Sequence, residues 1–199
     1  MKLLIGSKNK DKISEIKEIL KELDLEIISA ADFPDLPDVE ENRDTIEGNA
    51  ELKATTYAKA TGLLTLADDT GLFVDALNGE PGVYSARYAG DNCSYKDNRD
   101  KLIKEMKGKK NRDARFKTAV CLADKFGIIA SVFGKVEGKI TEREIGDKGF
   151  GYDNIFLADE TRRTFGEMED YEKHLISHRG RAFTNILPIL KEILNKKNK

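Results

Sequence analysis

The sequence lacks several features that would assign a protein to a specialised class. It contains no tryptophan, and among its 199 residues there are only two cysteines, two histidines and four prolines. Cys93 and Cys121 are not in CxxC spacing, which excludes a disulfide scaffold and is typical of reduced thiols in a cytosolic protein. His174 and His178 lie four residues apart but lack the glutamate of an HExxH zinc motif.

Long apolar runs and an excess of one charge are also missing. No stretch approaches the ~18 apolar residues that a membrane span needs. The apolar stretch at the N-terminus is too short for a signal peptide. We therefore expect a cytoplasmic protein. The 34 basic and 36 acidic residues leave a net charge of −2. This balance argues against general nucleic-acid or membrane-surface binding, although it permits a local basic pocket for a small polyanion.

The hydrophobic pattern predicts an α/β fold. Short apolar runs such as 2–6 and 63–67 have the length of buried strands, and segments with helical spacing lie between them. The β-rich runs 115–124 and 128–140 are separated by a short segment with Phe126-Gly127, which indicates a hairpin and therefore a mixed sheet. The length favours a single domain over residues 1–199 with at most two lobes.

A first candidate site is the segment Ser7–Lys12, between the first strand and the first helix. Backbone N–H groups at a helix N-terminus, together with serine, asparagine and lysine side chains, suit a phosphate group. The alternative is a solvated turn, capped by serine or asparagine, whose lysines have no role in binding. The segment is not a P-loop, because G-x-x-x-x-G-K-[ST] does not occur in the sequence.

A second candidate site is Asp68-Asp69-Thr70-Gly71, which we expect in a loop at the end of a strand. Adjacent carboxylates repel, so they need solvent or a cation such as Mg²⁺, which prefers oxygen ligands. Glu40-Glu41 in an acidic loop offers a further carboxylate, and Asn49 and Lys53 share one helix face. The alternative is an aspartate-rich turn, with Lys53 as an ordinary surface lysine.

A third candidate site combines the glycine-rich segment 149–153 with Lys173 and 177–179. It offers an aromatic face, a carboxylate and cationic groups, the parts needed to recognise a base. It is not a dinucleotide fingerprint, because Asn154 stands where the last glycine would be. Alternatively, Phe150 belongs to the hydrophobic core.

Seven short motifs run in order over nearly the whole chain, roughly residues 3–190. They are Ser7-Lys8-Asn9-x-x-Lys12, Asn49-Ala50-x-x-Lys53-Ala54, Ala67-Asp68-Asp69-Thr70-Gly71-Leu72, Gly79-x-Pro81-Gly82-x-Tyr84-Ser85-Ala86-Arg87-Tyr88, Gly149-Phe150-Gly151-Tyr152-Asp153, Thr164-Phe165-x-Glu167-Met168, and Lys173 before Ser177-His178-Arg179. With these motifs the chain resembles the inosine triphosphate pyrophosphatase family. Lys8, Gly48 and Asn154 depart from the usual pattern, and the first departure bears on phosphate affinity.

The resemblance implies a homodimer with an elongated mixed β-sheet flanked by helices and two lobes around a central nucleotide cleft. It also implies Mg²⁺-dependent hydrolysis of non-standard purine nucleoside triphosphates (dITP, ITP, XTP) to the monophosphate and pyrophosphate, which cleanses the nucleotide pool. The partners would be the substrate and a second copy of the chain, with no nucleic acid and no membrane. Two rival readings remain: a related pyrophosphatase for modified pyrimidine or methylated nucleotides, and a nucleotide sensor without turnover.

The resemblance also implies roles for individual residues. Asp69 would accept the proton from the attacking water and ligate the metal, with Lys53 as a second catalytic residue. Glu40 and Asp68 would be further metal ligands, although the choices between Glu40 and Glu41 and between Asp68 and Asp69 as direct ligands stay open. The implied substrate-binding residues are Ser7, Lys8, Asn9, Lys10, Asp11, Lys12, Lys53, Thr70, Phe150, Gly151, Tyr152, Asp153, Lys173, His178 and Arg179.

Overall fold

The structure is a computed structural model that describes residues 1–197. Its strands form an eight-stranded sheet in the order β2-β1-β3-β5-β6-β7-β8, with β4 paired to β3. β1 is parallel to β2 and β3, whereas β4 and β7 are antiparallel to β3 and β6. The strands are β1 (Lys2–Ile5), β2 (Glu26–Ser29), β3 (Leu64–Val74), β4 (Pro81–Gly82), β5 (Asp113–Asp124), β6 (Gly127–Ile140), β7 (Phe156–Ala158) and β8 (Arg163–Thr164).

Within residues 1–197, five α-helices accompany the sheet: α1 (Lys10–Leu20), α2 (Ile46–Thr61), α3 (Tyr95–Glu105), α4 (Asp170–Ile176) and α5 (His178–Lys197). The prediction of a mixed α/β fold with a sheet flanked by helices is therefore confirmed, as is the β5–β6 hairpin. The short helix α4 was not predicted.

Local capping explains where the helices begin and end. Thr45 caps α2 by accepting a hydrogen bond from the N–H of Gly48, and Gly62 ends it with a φ of 70°. That left-handed conformation is accessible to glycine without a steric penalty. Ser94 and Asp97 form a reciprocal capping box at the start of α3. Such caps satisfy N–H groups that have no partner within the helix.

The expected loop at Asp68-Asp69-Thr70-Gly71 is wrong, and so is the alternative of an aspartate-rich turn. These residues lie inside β3, which runs without interruption for 11 residues. Asp, Thr and Gly favour turns by their local preferences, but side chains of α1, α2 and α5 supply the positive charge and hydrogen bonds that an acidic strand segment needs. Tertiary contacts override local propensity here.

The chain divides into two compact units, and each has its own hydrophobic core. Unit 1 comprises Met1–Asp69, Thr118–Gly134 and residues 179–197, and unit 2 comprises Thr70–Lys117 and Lys135–His178. In unit 1, Leu3 and Ile5 of β1 pack with residues of α1 and α5, including Ile16 and Phe183. Unit 2 has an aromatic core, with the buried side chains Phe116, Phe156 and Phe165. The prediction of a single domain with two lobes and a nucleotide cleft stays a prediction.

The C-terminal helix α5 contains Pro188. Across residues 1–197, no helix combines the length and the apolar character required to cross a membrane. The cytoplasmic location also stays a prediction.

Candidate active site

Strand β3 carries the two central carboxylates of unit 1, Asp68 and Asp69, which are 2% and 4% exposed. Successive residues of a strand point to opposite faces of the sheet. Asp68 accordingly contacts side chains of α1 and α5, whereas Asp69 contacts side chains of α2. The alternation allows two adjacent buried carboxylates to have separate cationic partners.

Asp68 belongs to a buried network of four charged side chains. Its Oδ2 lies 3.4 Å from Nζ of Lys12 and 3.3 Å from Nη2 of Arg179. The guanidinium of Arg179 also forms an ion pair with Glu15, so it bridges two carboxylates. Arg179 is only 2% exposed, and Glu15 is 7% exposed. The network therefore joins α1, β3 and α5 by contacts that are largely shielded from water.

The cations decide the protonation state of Asp68. Burial raises the pKa of this carboxyl, but Lys12, Arg179 and Lys53 outweigh burial, so the pKa lies well below its usual range. Burial lowers the pKa of Arg179, and the charges of Glu15 and Asp68 more than reverse this effect. Asp68 is thus ionised and Arg179 is charged at neutral pH.

Asp69 is placed against two residues of α2. Nδ2 of Asn49 donates a hydrogen bond of 3.1 Å to its Oδ2, and Nζ of Lys53 lies 3.7 Å from its Oδ1. Asn49 and Lys53 are four residues apart, so they project from the same helix face. The same lysine donates a 2.7 Å hydrogen bond to Oε1 of Glu41. One ammonium therefore bridges the carboxylates of Asp69 and Glu41.

The pKa of Asp69 is shifted in the opposite direction from that of Asp68. Burial raises it, the nearby charge of Glu41 raises it further, and Lys53 and Lys12 compensate only in part. Burial raises the pKa of Glu41, but the charge and hydrogen bond of Lys53, together with the charge of Lys12, lower it further than burial raises it. Burial disfavours the charge of Lys53, but the surrounding carboxylates raise its pKa. A buried carboxylate with a raised pKa is suited to accept a proton.

The donor set around Asp69 fits a magnesium ion bound jointly with phosphate. Among the described residues, no group of three or more His, Cys, Asp or Glu side chains is arranged to hold a metal by itself. Mg²⁺, however, is commonly held through one or two carboxylates, with phosphate oxygens and waters completing its shell. Asp69 and Glu41 supply such carboxylates, whereas Glu40 is exposed. The assignment of Glu40, Asp68 and Asp69 as metal ligands stays a prediction.

The predicted phosphate segment Ser7–Lys12 forms the beginning of α1. Oδ1 of Asn9 accepts hydrogen bonds from the N–H groups of Asp11 and Lys12, and Oγ of Ser7 accepts one from the N–H of Asn9. The asparagine cap of the alternative interpretation is therefore present. Lys12 forms an ion pair with Asp68. Lys10 and Asp11 are exposed, and the exposed Lys8 pairs with Asp38 at 2.6 Å.

Unit 2 contains a second cluster of predicted site residues around Phe150. Nζ of Lys173 lies 2.8 Å from Oδ2 of Asp153 and 4.8 Å from the centroid of the Phe150 ring. The same carboxylate oxygen accepts a hydrogen bond from the N–H of Phe150. Lys173 and Asp153 are each 3% exposed. Asp153 thus holds the 149–153 segment in place and fixes a cation beside an aromatic ring.

The remaining predicted residues of unit 2 have structural contacts. The ring of His178 stacks on Phe116, with centroids 4.4 Å apart, and is 3% exposed. Tyr152 donates a 2.8 Å hydrogen bond to the carbonyl of Ser85, and burial raises its pKa. The carbonyl of Gly151 accepts a hydrogen bond from Arg99, and Thr70 is half-buried in β3. Their implied contacts with substrate stay predictions.

Glu15 was not predicted as a site residue, and Asn49 was predicted only to share a helix face with Lys53. Glu15 lies between Ile13 and Ile16, which are both buried in the core of unit 1. A carboxylate on the apolar side of an amphipathic helix requires a partner, because burial of an isolated charge is costly. That position was the available signal, but nothing in the sequence identified Arg179 as the partner.

The fold and the charged cluster define an α/β protein with a buried site of carboxylates and cations on one strand and its neighbouring helices. A model of the Ham1 family matches residues 3–189. A dITP/XTP pyrophosphatase of Exiguobacterium sp. is 44% identical over 96% of this chain and 100% of its own length. One of Flavobacterium johnsoniae is 46% identical over 96% of this chain and 98% of its own length.

Solved structures agree with these sequence relatives. A HAM1 protein from Coxiella burnetii superposes with a TM-score of 0.88 at 36% identity, covering 96% of this chain and 99% of its own. The Ham1 protein of Staphylococcus aureus gives a TM-score of 0.86 at the same identity, again over 96% and 99% of the two chains. The chain belongs to the Ham1 family. The predicted family, and with it an enzyme of the pyrophosphatase class, is confirmed.

Proposed function

We propose that this chain hydrolyses non-standard purine nucleoside triphosphates, namely dITP, ITP and XTP, to the monophosphate and pyrophosphate. Supporting this proposal, its relatives carry the name dITP/XTP pyrophosphatase over nearly the full chain length. The observation that carries the mechanism is the position of Asp69, a buried carboxylate held by Asn49 and Lys53 with a raised pKa.

In the proposed reaction, water attacks the α-phosphorus and a new P–O bond forms. The bond from the α-phosphorus to the α–β bridging oxygen breaks, pyrophosphate leaves, and the water proton passes to Asp69. Lys12 and Lys53 offset the negative charge of the triphosphate and of the leaving group. Mg²⁺, when bound through Asp69 and Glu41, supplies further positive charge at the phosphates.

The residues around Phe150 are proposed to recognise the base. Aromatic rings stack on bases with about 1–3 kcal/mol per base, and a purine offers a larger face than a pyrimidine. The 6-oxo group and N1–H of inosine differ from the donor and acceptor of adenine, so polar groups suited to inosine would be left unpaired by adenine. Guanine shares these two groups, so its rejection depends on the absence of an acceptor for the 2-amino group.

The proposal is tested by pyrophosphate release from ITP with and without Mg²⁺. Asp69→Asn is expected to retain nucleotide binding and to lose about 10²–10⁴ in kcat, the usual span for a general base. Asp24→Asn, the same substitution at an exposed aspartate, is the matched control. Turnover of D69N near the wild-type rate would remove Asp69 from the mechanism, and no turnover of ITP by the wild type would reject the proposed function.

A further inference from the structure

Helix α3 contacts the glycine-rich segment of unit 2 at two points. The ring of Tyr95 lies 5.9 Å from the ring of Phe150, centroid to centroid, at a tilt of 41°. One turn later, Nη1 of Arg99 donates a 2.9 Å hydrogen bond to the carbonyl of Gly151. Tyr95 and Arg99 are four residues apart and therefore share one face of the helix. The same face thus meets both a side chain and the backbone of this segment.

The segment needs such external support, because its own backbone is unusually permissive. Phe150 is flanked by Gly149 and Gly151, whose φ angles are +70° and +62°. Glycine reaches this left-handed region freely, but it also loses the most conformational freedom when it is fixed. A ring between two such residues is ordered mainly by what it contacts. Its contacts include Lys173, 4.8 Å from the ring centroid, and Tyr95.

The two supports differ in exposure. Lys173 is 3% exposed, whereas Tyr95 is 38% exposed and lies in the first turn of α3. Arg99 is fixed in turn by Glu144, whose Oε1 lies 2.9 Å from its Nε. The capping box of Ser94 and Asp97 fixes the start of the helix that carries Tyr95. Tyr95 is therefore an aromatic residue that remains accessible while its backbone is held.

We propose that Tyr95 is a positioning residue for base recognition, holding the Phe150 ring ready to stack on a purine. The inference rests on the proposed function, since it takes Phe150 as the stacking partner of the base. Ring pairs at 4.5–7 Å separation contribute beyond the area they bury. With Tyr95 present, the Phe150 ring is ordered before the nucleotide arrives, and binding does not have to supply that order.

Binding of the product IMP, measured by titration calorimetry on the full chain, tests this role without turnover. Tyr95→Ala is expected to weaken IMP binding about 2- to 10-fold, the range that one aromatic pair provides. Tyr95→Phe keeps the ring and is expected to restore wild-type affinity. Because UMP has a smaller base, its binding affinity is expected to fall less in Y95A than that of IMP. In pyrophosphate release from ITP, Y95A is expected to raise KM and leave kcat unchanged.

A double-mutant cycle separates positioning from general damage to the fold. If Tyr95 acts through Phe150, Y95A has no further effect on IMP binding once Phe150 is replaced in F150A. Phe126→Ala, at an aromatic residue that is 85% exposed in unit 1, is the control for loss of an exposed ring.

Three results would overturn the inference: equal IMP affinity of Y95A and wild type, a Y95A loss that persists in the F150A background, or unchanged IMP affinity in F150A itself. Pyrophosphate release from ITP by the same wild-type sample is the separate measure of the proposed function. If that release is intact while the Y95A result fails, only the role of Tyr95 is rejected.

Discussion

Replacing Arg179 by methionine tests the buried network directly. The substitution keeps an unbranched apolar stem but removes the guanidinium that pairs with Glu15 and Asp68. Both carboxylates are then buried with less positive charge. Removing one partner of a buried ion pair costs about 3–5 kcal/mol, whereas an exposed pair is worth about 0–1 kcal/mol. For a chain of this length, such a loss lowers Tm by about 6–20 °C.

The stability difference between wild type and R179M also depends on pH, which gives a second, independent test. The pKa of Asp68 is lowered in the folded protein, so its ionised form stabilises the fold above the ordinary aspartate pKa of about 4. That contribution is lost as pH falls through the lower, folded-state pKa. In R179M much of this stabilising contribution of ionised Asp68 is already absent at pH 7. The stability gap between wild type and R179M is therefore widest at neutral pH and begins to narrow near pH 5.

Urea unfolding at pH 7 and pH 3, followed by circular dichroism, measures both effects. Lys191→Met, at an exposed lysine of the same helix, is the control and is expected to change stability by less than about 0.5 kcal/mol. Glu15→Gln combined with R179M is expected to recover part of the loss, because one of the stranded charges is then neutral. A loss below about 1 kcal/mol for R179M would refute the idea that these contacts are shielded from water.

Three further predictions use other parts of the chain. Because the pKa of Asp69 is raised in the folded state, its ionised form opposes folding above the ordinary aspartate pKa. D69N is therefore expected to have a higher Tm than wild type at pH 7 in Mg²⁺-free buffer, with a gain that shrinks toward pH 4. An unchanged or lower Tm of D69N at pH 7 contradicts this. Gly146→Ala would place a Cβ 2.1 Å from the carbonyl oxygen of Gly166 at a φ of +81°, which costs about 1–3 kcal/mol for overpacking and 1–2 kcal/mol for the backbone. Gly108→Ala, with a φ of +77° and open space, is its control in thermal unfolding and is expected to lose only the backbone part. Finally, ITP is expected to be hydrolysed with a higher kcat/KM than GTP at equal Mg²⁺ concentration, and equal values would reject the proposed basis of base selection.

Local sequence determined much of the fold of this protein. Helical spacing after the first strand predicted α1, and Thr45 and Gly62 bound α2, because caps and periodic faces depend on residues close in sequence. The short segment with Phe126-Gly127 between the β-rich runs predicted the β5–β6 hairpin for the same reason. The order of the seven motifs was sufficient to indicate the family, which the comparisons confirm.

The tertiary structure alone decided how the charges of unit 1 are paired. The local preferences of Asp68 to Gly71 favour a turn, yet they form part of a strand because helices on both faces compensate the carboxylates. Glu15 pairs with Arg179 across 164 positions of sequence, and Glu41 rather than the adjacent Glu40 contacts Lys53. Pairing over such separations depends on how helices pack against the sheet, and neither residue type nor spacing encodes that by itself.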